Sequence, residues 1–320
     1  MPRATSDRDG AILVGGEALF HLVLDDAGEL RAHAGGGPFN TARTIARLRQ
    51  RVTYLGRLST DRFGRTLERL LGEDGVGLET VVHTDQPTTL ALAEVGSDGS
   101  AQYRFYERAT SASGLTAADA LAVLPERVSI LHVGTLGLTL EPVATAFEAV
   151  IEALAGSAMI VVDPNVRPGV IDDGAAYRTR LARVLARTDV LKVSDQDLAW
   201  LDPGRPVAEA ARALLDAGPK AVLLTRGADG VLVVTAEGDA DVPAPPVQVV
   251  DTIGAGDAFA GGVVAWWHGR GLDAAALDDA KLVTEAARFG ALVAARTCER
   301  PGASPPRLEE LGLEAASLAG

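Results

Sequence analysis

Asp251-Thr252-Ile253-Gly254-Ala255-Gly256-Asp257-Ala258-Phe259-Ala260-Gly261-Gly262 is the stretch from which the chain is best read. An apolar run carrying Pro243, Pro245 and Pro246 leads into it, and a helix of small residues is expected after it. Gly254 and Gly256 allow a tight turn that bares backbone N–H groups. The helix N-terminus adds unpaired donors and partial positive charge, so Gly254, Ala255 and Gly256 can hold an anion. Asp257 at that opening is placed to take a proton from a hydroxyl attacking a phosphoryl group. The plainer alternative is a strand–turn–helix with Asp257 as an ordinary cap.

The surrounding pattern is an alternation of apolar runs and helical periods. VTYLGRLS reads as a strand and RFGRTLERLLGEDG as a helix ended by Gly75. From Val128 the alternation is regular: SILHVGTLGL, MIVVDPNVRP and VLKVS are strands, with helices between them. AVLLTRG and GVLVVTAEG look like a strand pair, and a last helix is expected around Val283–Ala295. This implies a doubly wound α/β fold, a mostly parallel sheet with helices on both faces. Ligands in such folds lie beyond the carboxyl ends of the strands. Asn165, Ser194 and Thr225 fall there. TTLALAEV and AQYRFYE flank Ser97-Asp98-Gly99-Ser100, a hairpin signal. With the polar stretch after Leu19 it suggests a small β lid. Its segments, about 17–35 and 86–112, would be inserted in a single domain of residues 1–320. A surface flap or dimer contact is the alternative.

Composition bounds the function. The formal net charge of −13 argues against nucleic-acid or anionic-membrane partners. The single cysteine, Cys298, excludes an internal disulfide framework and fits a reducing compartment. No apolar run spans a bilayer, and the opening residues lack a signal-peptide core, so the reading is cytosolic. Asn occurs only at 40 and 165, and Lys only at 192, 220 and 281. Asn offers a donor and an acceptor without charge, as sugar hydroxyls require. There is no Gly-x4-Gly-Lys-Ser/Thr loop.

AGGGPFNTARTIARL and VVDTIGAGDAFAGG together resemble the two signatures of the ribokinase-like (PfkB) carbohydrate kinases. The resemblance runs from about Ile12 to about Pro306. It implies Asp257 as catalytic base and the Gly254–Gly256 amides as the anion hole for the transferred phosphate. Gly35, Gly36 and Asn40 match the sugar-binding glycine loop, although a plain helix N-terminus would also explain them. Asp163-Pro164-Asn165-Val166-Arg167 resembles a segment of the fructokinase and ketodeoxygluconate kinase branches. Asn165 and Arg167 would then face substrate, or Arg167 would simply pair with Asp163 or Asp172. Ser194-Asp195-Gln196-Asp197 falls where the family has Asn-x-x-Glu, linked to Mg²⁺ through water. Asp197 is one methylene shorter than that Glu, and a helix cap is the alternative.

Thr225-Arg226-Gly227-Ala228-Asp229-Gly230 resembles the family's nucleotide turn, or an ordinary β-turn. Adenine is expected in an apolar slot between this turn and the helix near Ala291. Residues 297–304 resemble a monovalent-cation loop. Asp251 and the backbone of Ile253, Ala295, Cys298, Arg300 and Ser304 would hold K⁺. Cys298 itself reads as a small buried hydrophobe. Two departures stand out: His21 replaces the Asp of Gly-Glu-x-Leu-x-Asp, and Phe39 replaces a usual Ala.

The resemblance implies an ATP-dependent kinase acting on a primary hydroxyl of a small sugar, fructokinase-like, with Mg²⁺ and K⁺. Arg104 and Arg108 near the lid keep 2-keto-3-deoxygluconate kinase open, because an acid sugar needs a cation. A protonated His21 would act the same way. Ribokinase and nucleoside kinase are further alternatives. A nucleotide- or sugar-binding regulator without turnover is the alternative of another class. A homodimer through the lid is also expected.

Overall fold

Apolar residues alternating at period two make strands with both faces buried, and amphipathic helices cover each face. In the computed structural model, which describes residues 10–24, 27–95 and 101–312, the strands follow in chain order. They are β1 (Ala11–Gly15), β2 (Leu19–Leu24), β3 (Leu30–Gly35), β4 (Val52–Ser59), β5 (Val81–Thr84), β6 (Leu90–Val95), β7 (Ala101–Tyr106), β8 (Val128–Gly134), β9 (Met159–Asp163), β10 (Val190–Ser194), β11 (Ala221–Thr225), β12 (Val231–Thr235) and β13 (Gly238–Val242). The helices are α1 (Gly37–Arg47), α2 (Arg62–Asp74), α3 (Ala117–Ala122), α4 (Val143–Leu154), α5 (Gly174–Leu185), α6 (Asp195–Leu201), α7 (Val207–Ala213), α8 (Ala255–Gly269) and α9 (Ala280–Cys298).

A 9-stranded sheet has the order β13-β12-β11-β10-β9-β8-β1-β4-β5. It is parallel from β11 to β5, with β12 and β13 antiparallel at one edge. Ile12 and Val14 of β1 join a core with Phe39, Ile45, Phe259 and Trp267 on the α1, α8 and α9 side. Leu13 joins Phe147, Val150 and Leu181 on the α4 and α5 side. The chain leaves β1 toward β4 and later returns to β8 on its other flank. Strand order thus reverses between β1 and β8, where such sheets open a crevice at their carboxyl ends.

A second, 4-stranded sheet has the order β3-β2-β6-β7. Its β6 and β7 are paired antiparallel from Leu90↔Tyr106 to Val95↔Ala101. The turn expected at Ser97–Ser100 lies outside the described residues. Register pairs His21 with His33 and Ala91, and Ala91 with Phe105, so these four share a face. Phe20, Leu22, Leu90 and Leu92 share the other, where Phe20 meets Phe63 of α2 at 4.6 Å between ring centroids.

The fold class agrees with the reading of the sequence, and several element bounds differ. The strand expected to run through Leu138 stops at Gly134, because Thr135 takes a left-handed backbone (φ 53) and opens a 3-10 turn. No strand forms in the proline run 243–249, because proline lacks the N–H a ladder needs. The chain instead pairs β13 back onto β12 just before it. Ser194 starts a helix, α6, by capping it. Among the described residues, no helix is long and apolar enough to cross a membrane.

Candidate active site

The N-termini of α1 and α8 meet at Asp257. Gly254 precedes α8 with φ +77, and Gly36 precedes α1 with φ +114, so both turns use backbone that favours glycine. Asn40 Nδ2 donates to Asp257 Oδ2 at 2.8 Å, and Thr41 Oγ1 donates to the Asp257 carbonyl at 3.3 Å. The close approach depends on small residues. A methyl on Gly261 would meet Thr44 Cβ at 2.7 Å, and one on Gly262 would meet Gly290 Cα at 2.8 Å. The signature glycines after Asp257 therefore let α8 fit between α1 and α9. Burial raises Asp257 to about 6, against the Asn40 hydrogen bond, so the carboxyl titrates where a general base is useful.

Around this carboxyl the crevice at β1 and β8 supplies polar groups. A methyl on Gly37 would lie 2.6 Å from Thr135 Oγ1, 3.3 Å from Asp257 Oδ1 and 3.6 Å from Asn165 Nδ2, so these groups converge on the start of α1. Asn165 (φ 39) and Thr135 (φ 53) both hold left-handed backbone, which is costly for a β-branched residue and marks a site whose surroundings fix it. Glu17 accepts from Gly37 N at 3.0 Å. Its burial pushes the carboxyl up to about 8, so at neutral pH it is mostly protonated. Arg167 is exposed beside the crevice and, among the described residues, donates to the carbonyls of Asn165 and Val166. Among the described residues no carboxylate lies within ion-pair distance of it, and the alternative pairing with Asp163 or Asp172 does not form.

The small sheet brings His21 against Gly35: a methyl on Gly35 would sit 2.6 Å from His21 Cδ2. Burial, then the charges of Arg167 and His33, lower the His21 pKa. His21 is therefore neutral, and the protonated form suggested for acid-sugar binding is disfavoured. Arg104 does not join the crevice. Register places it with Leu92 and Leu22, on the face opposite His21. The Arg108 side chain is 87% exposed and lies 4.0 Å from Asp172 and 3.9 Å from Glu107.

The turn before α8 is clamped to the chain after α9. Asp251 Oδ1 accepts from Ile253 N at 2.9 Å and Oδ2 accepts from Gly302 N at 2.8 Å. The Cys298 carbonyl accepts from Val250 N at 2.8 Å and Asp251 N at 3.2 Å, which engages it away from a cation. The Arg300 guanidinium is tied to Glu310, and Ser304 N donates to the Gly302 carbonyl. Ala295 lies buried within α9. A methyl on Gly254 would meet Ala303 Cβ at 2.6 Å. Gly254→Ala is therefore expected to strain the turn and displace the anion hole, lowering kcat about 10²-fold, the scale of losing one well-placed donor. Steady-state kinetics on the folded variant checks this.

On the β10–β11 side, Asp197 differs from its expected role. It is buried, its Oδ1 accepts from Val166 N at 2.7 Å, and its Oδ2 accepts from Ser194 N and Oγ at 2.8 and 2.7 Å. A carboxylate holding a capping box and the 163–167 turn together is not open to a hydrated metal. Among the described residues there is no cluster of three or more His, Cys, Asp or Glu suited to a metal ion. Thr225 ends β11 and donates to the Val193 carbonyl. Gly227 (φ 57) opens a 3-10 turn. Gly230 is required by packing, since a methyl there would meet the Val242 carbonyl oxygen at 2.1 Å. Ala291 is buried in α9, while Val249, Val250 and Ile253 leave an exposed apolar surface in the approach to the anion hole.

The reading of the sequence missed Thr135, Glu17 and Lys192. Lys192 carried a signal, a charge between apolar residues of VLKVS; Thr135 carried none, since the strand was expected to run through it to Leu138. A cleft of about 680 Å³ lies at the opposite end of the sheet, beside Lys220 and Thr235. Its cations Arg205, Arg212 and Lys220 are paired with Asp202, Asp239 and Asp278.

This geometry has known counterparts. The pfkB family carbohydrate kinase model matches residues 12–310. The chain is 35% identical to a fructokinase of Rhizobium leguminosarum bv. trifolii over 258 residues, 79% of this chain and 78% of that one. Its fold superimposes on a fructokinase with bound ATP from Xylella fastidiosa with a TM-score of 0.85, at 28% identity over 96% and 97% of the two chains. A fructokinase double mutant from Vibrio cholerae O395, with fructose, ADP and potassium ion bound, gives 0.84 at 25% identity over 96% and 99%. The chain belongs to the pfkB family of carbohydrate kinases and is an ATP-dependent phosphotransferase acting on a sugar hydroxyl.

Proposed function

We propose that the sugar is a neutral one, with fructose the first candidate, and that Asp257 is the catalytic base. The observation that carries the reading is Asp257 at the joined N-termini of α1 and α8, held by Asn40. In the reaction a primary hydroxyl oxygen attacks the γ-phosphorus of ATP. The bond from that phosphorus to the ADP oxygen breaks, and the hydroxyl proton passes to Asp257. The Gly254–Gly256 amides face the charge that develops on the transferring group. Gly35, Gly36, Asn40, Asn165 and Thr135 orient the sugar, and neutral His21 can accept one hydrogen bond and donate another. The small sheet, segments 17–35 and 86–112, acts as a lid that excludes water and belongs to one unit of residues 1–320.

Neutral sugars are favoured over 2-keto-3-deoxygluconate for a structural reason. Of the cations expected to meet an acid sugar, Arg104 lies on the far face, Arg108 is in solvent, and His21 is uncharged. Arg167 alone borders the crevice, where it suits a phosphate equally well. Ser194, Thr225 and Gly227 border the nucleotide, with the base against Val249, Val250 and Ile253. Among the described residues no carboxylate cluster builds a cage for Mg²⁺, which would enter on the ATP phosphates and supply charge neutralisation there. The paired loops at 251–254 and 299–304 suit K⁺ through Asp251 and the carbonyls of Ile253 and Ser304 better than through Cys298. The exposed Leu30 and Tyr106 on the outer face of the lid suit a homodimer contact.

ADP release with MgATP and K⁺ across fructose, 2-keto-3-deoxygluconate, ribose and adenosine tests the specificity. Fructose is expected to give the highest kcat/KM; preference for the acid sugar would overturn the assignment. A second expectation concerns pH. A base that must be ionised makes kcat/KM rise with pH through about 6 and level above it. A profile flat from pH 5 to 7 would remove Asp257 as the base.

A further inference from the structure

Lys192 is the buried charge that the chemistry above does not use. It sits in β10 between the apolar Leu191 and Val193, and its Nζ lies 2.9 Å from Asp163 Oδ2. The two side chains are 6% and 5% exposed. Nζ is also next to the anion hole: a methyl on Gly256 would lie 3.2 Å from it. Its other charged or titratable neighbours are Asp197, Asp257 and His132. Burial lowers its pKa, but the charges of Asp163, Asp197 and Asp257 and the Asp163 hydrogen bond together hold it above the ordinary value. His132 has no hydrogen-bond partner at either ring nitrogen and is held neutral by burial and then by Lys192, down to about 3. The second Asp163 oxygen also lacks a hydrogen-bond partner.

A buried ion pair is a poor stabiliser, since desolvating both charges offsets their attraction, and apolar residues of similar size often serve the fold as well. Its position is better explained by electrostatics. We infer that Lys192 is a positioning cation of the phosphoryl-transfer site, held by Asp163 beneath Gly256 so that its charge strengthens the anion hole from the protein interior. This rests on the kinase assignment of Asp257. In a water-poor interior a fixed charge acts over several ångströms with little screening and without reorganising during the reaction. The charged or titratable groups facing Asp257 are Lys192, Arg167, Asp163 and Glu17, with the Asn40 amide hydrogen-bonded to it, so Lys192 also opposes the two carboxyls there.

Lys192→Met is expected to lower kcat about 10- to 100-fold, less than the roughly 10²- to 10³-fold loss of a donor that bonds the reacting group directly, because Lys192 acts from behind the hole. It is expected to shift the rising limb of kcat/KM to higher pH while leaving the sugar KM within about 2-fold. Lys192→Arg keeps the charge and should restore part of kcat. The double variant Asp163→Asn/Lys192→Met removes both buried charges, so it should unfold in urea near the wild-type midpoint and keep the low kcat, while its rising limb returns to or below the wild-type position because Asp163 raises Asp257 where Lys192 lowers it. Recovery of wild-type kcat in the double variant would show that the pair is only structural. Unchanged kcat in Lys192→Met would overturn the proposal as well. Asp257→Asn run in parallel separates the two readings: wild-type turnover there sinks the base assignment, whereas the Lys192 variants test only the cation.

Discussion

Asp257→Asn is expected to lower kcat by about 10²- to 10⁴-fold, the usual contribution of a positioned base. The amide keeps the shape of the side chain and its bond with Asn40, so the sugar and ATP sites stay formed. ATP binding, measured by calorimetry, should remain within a few-fold. Retained binding with lost turnover supports an enzyme whose base is Asp257. A wild-type chain that binds ATP and turns over none of the four acceptors would favour a regulator instead.

The same variant should be more stable than wild type, and only above a defined pH. In the folded state Asp257 titrates near 6 because burial disfavours its charge, whereas the unfolded value is 3.8. The folded state therefore holds the proton more tightly. Its contribution is favourable below pH 3.8 and is lost as pH rises through about 6. Above pH 6 the ionised carboxylate is a net cost that Asn lacks. The residue opens to the mouth of the site, and solvent there screens part of the effect, so the gain is about 1–2 kcal/mol at pH 7.5. Urea midpoints of the two proteins should coincide near pH 4 and separate by pH 7. Separation already present at pH 4 would assign the effect to something other than this ionisation.

The largest loss of stability is expected from Asp74→Ala. Asp74 ends α2, and its side chain is 4% exposed. Its Oδ2 lies 2.7 Å from Arg43 Nε and its Oδ1 lies 2.8 Å from Arg47 Nε, with Arg307 at 3.4 Å. Arg43 and Arg47 are only 11% and 14% exposed. Removing the acid leaves two nearly buried guanidiniums without a counter-charge, a change that costs about 3–5 kcal/mol. Arg47 also donates to the Pro305 carbonyl at 2.7 Å, so the junction joins α1 to α2 and to the chain after α9. Asn40 lies on the same α1, and kcat of the folded fraction at low temperature should nonetheless stay near wild type. A urea midpoint within error of wild type would show that the arginines are solvated well enough to stand alone.

The parts of this protein legible in one dimension are those whose physics is local. The glycine turn at 254–256, the helix after it and the alternation from Val128 follow from backbone freedom, unpaired helix donors and apolar periodicity, all within a dozen residues. VLKVS and VTYLGRLS match β10 and β4 residue for residue. Asp257 and Asn40 could each be nominated from their own segments. That one holds the other at 2.8 Å across 217 positions could not be read there.

Where a property depends on what packs alongside, only the tertiary structure decided it. Arg104 was expected near the lid as a cation for an acid sugar, but the strand alternation places it on the face opposite His21. Asp197 was expected to reach Mg²⁺ through water or to cap a helix; only the fold shows that it caps α6 and also holds the 163–167 turn. His21 is neutral because it is buried beside Arg167 and His33. Lys192 carries weight only because β9 and β10 are neighbours and α8 begins above them. By itself the sequence determined which backbone could turn, cap and alternate. The folding of distant segments into contact determined which charges are buried, which are paired, and which face the reaction, because desolvation and Coulomb terms depend on distance in space rather than along the chain.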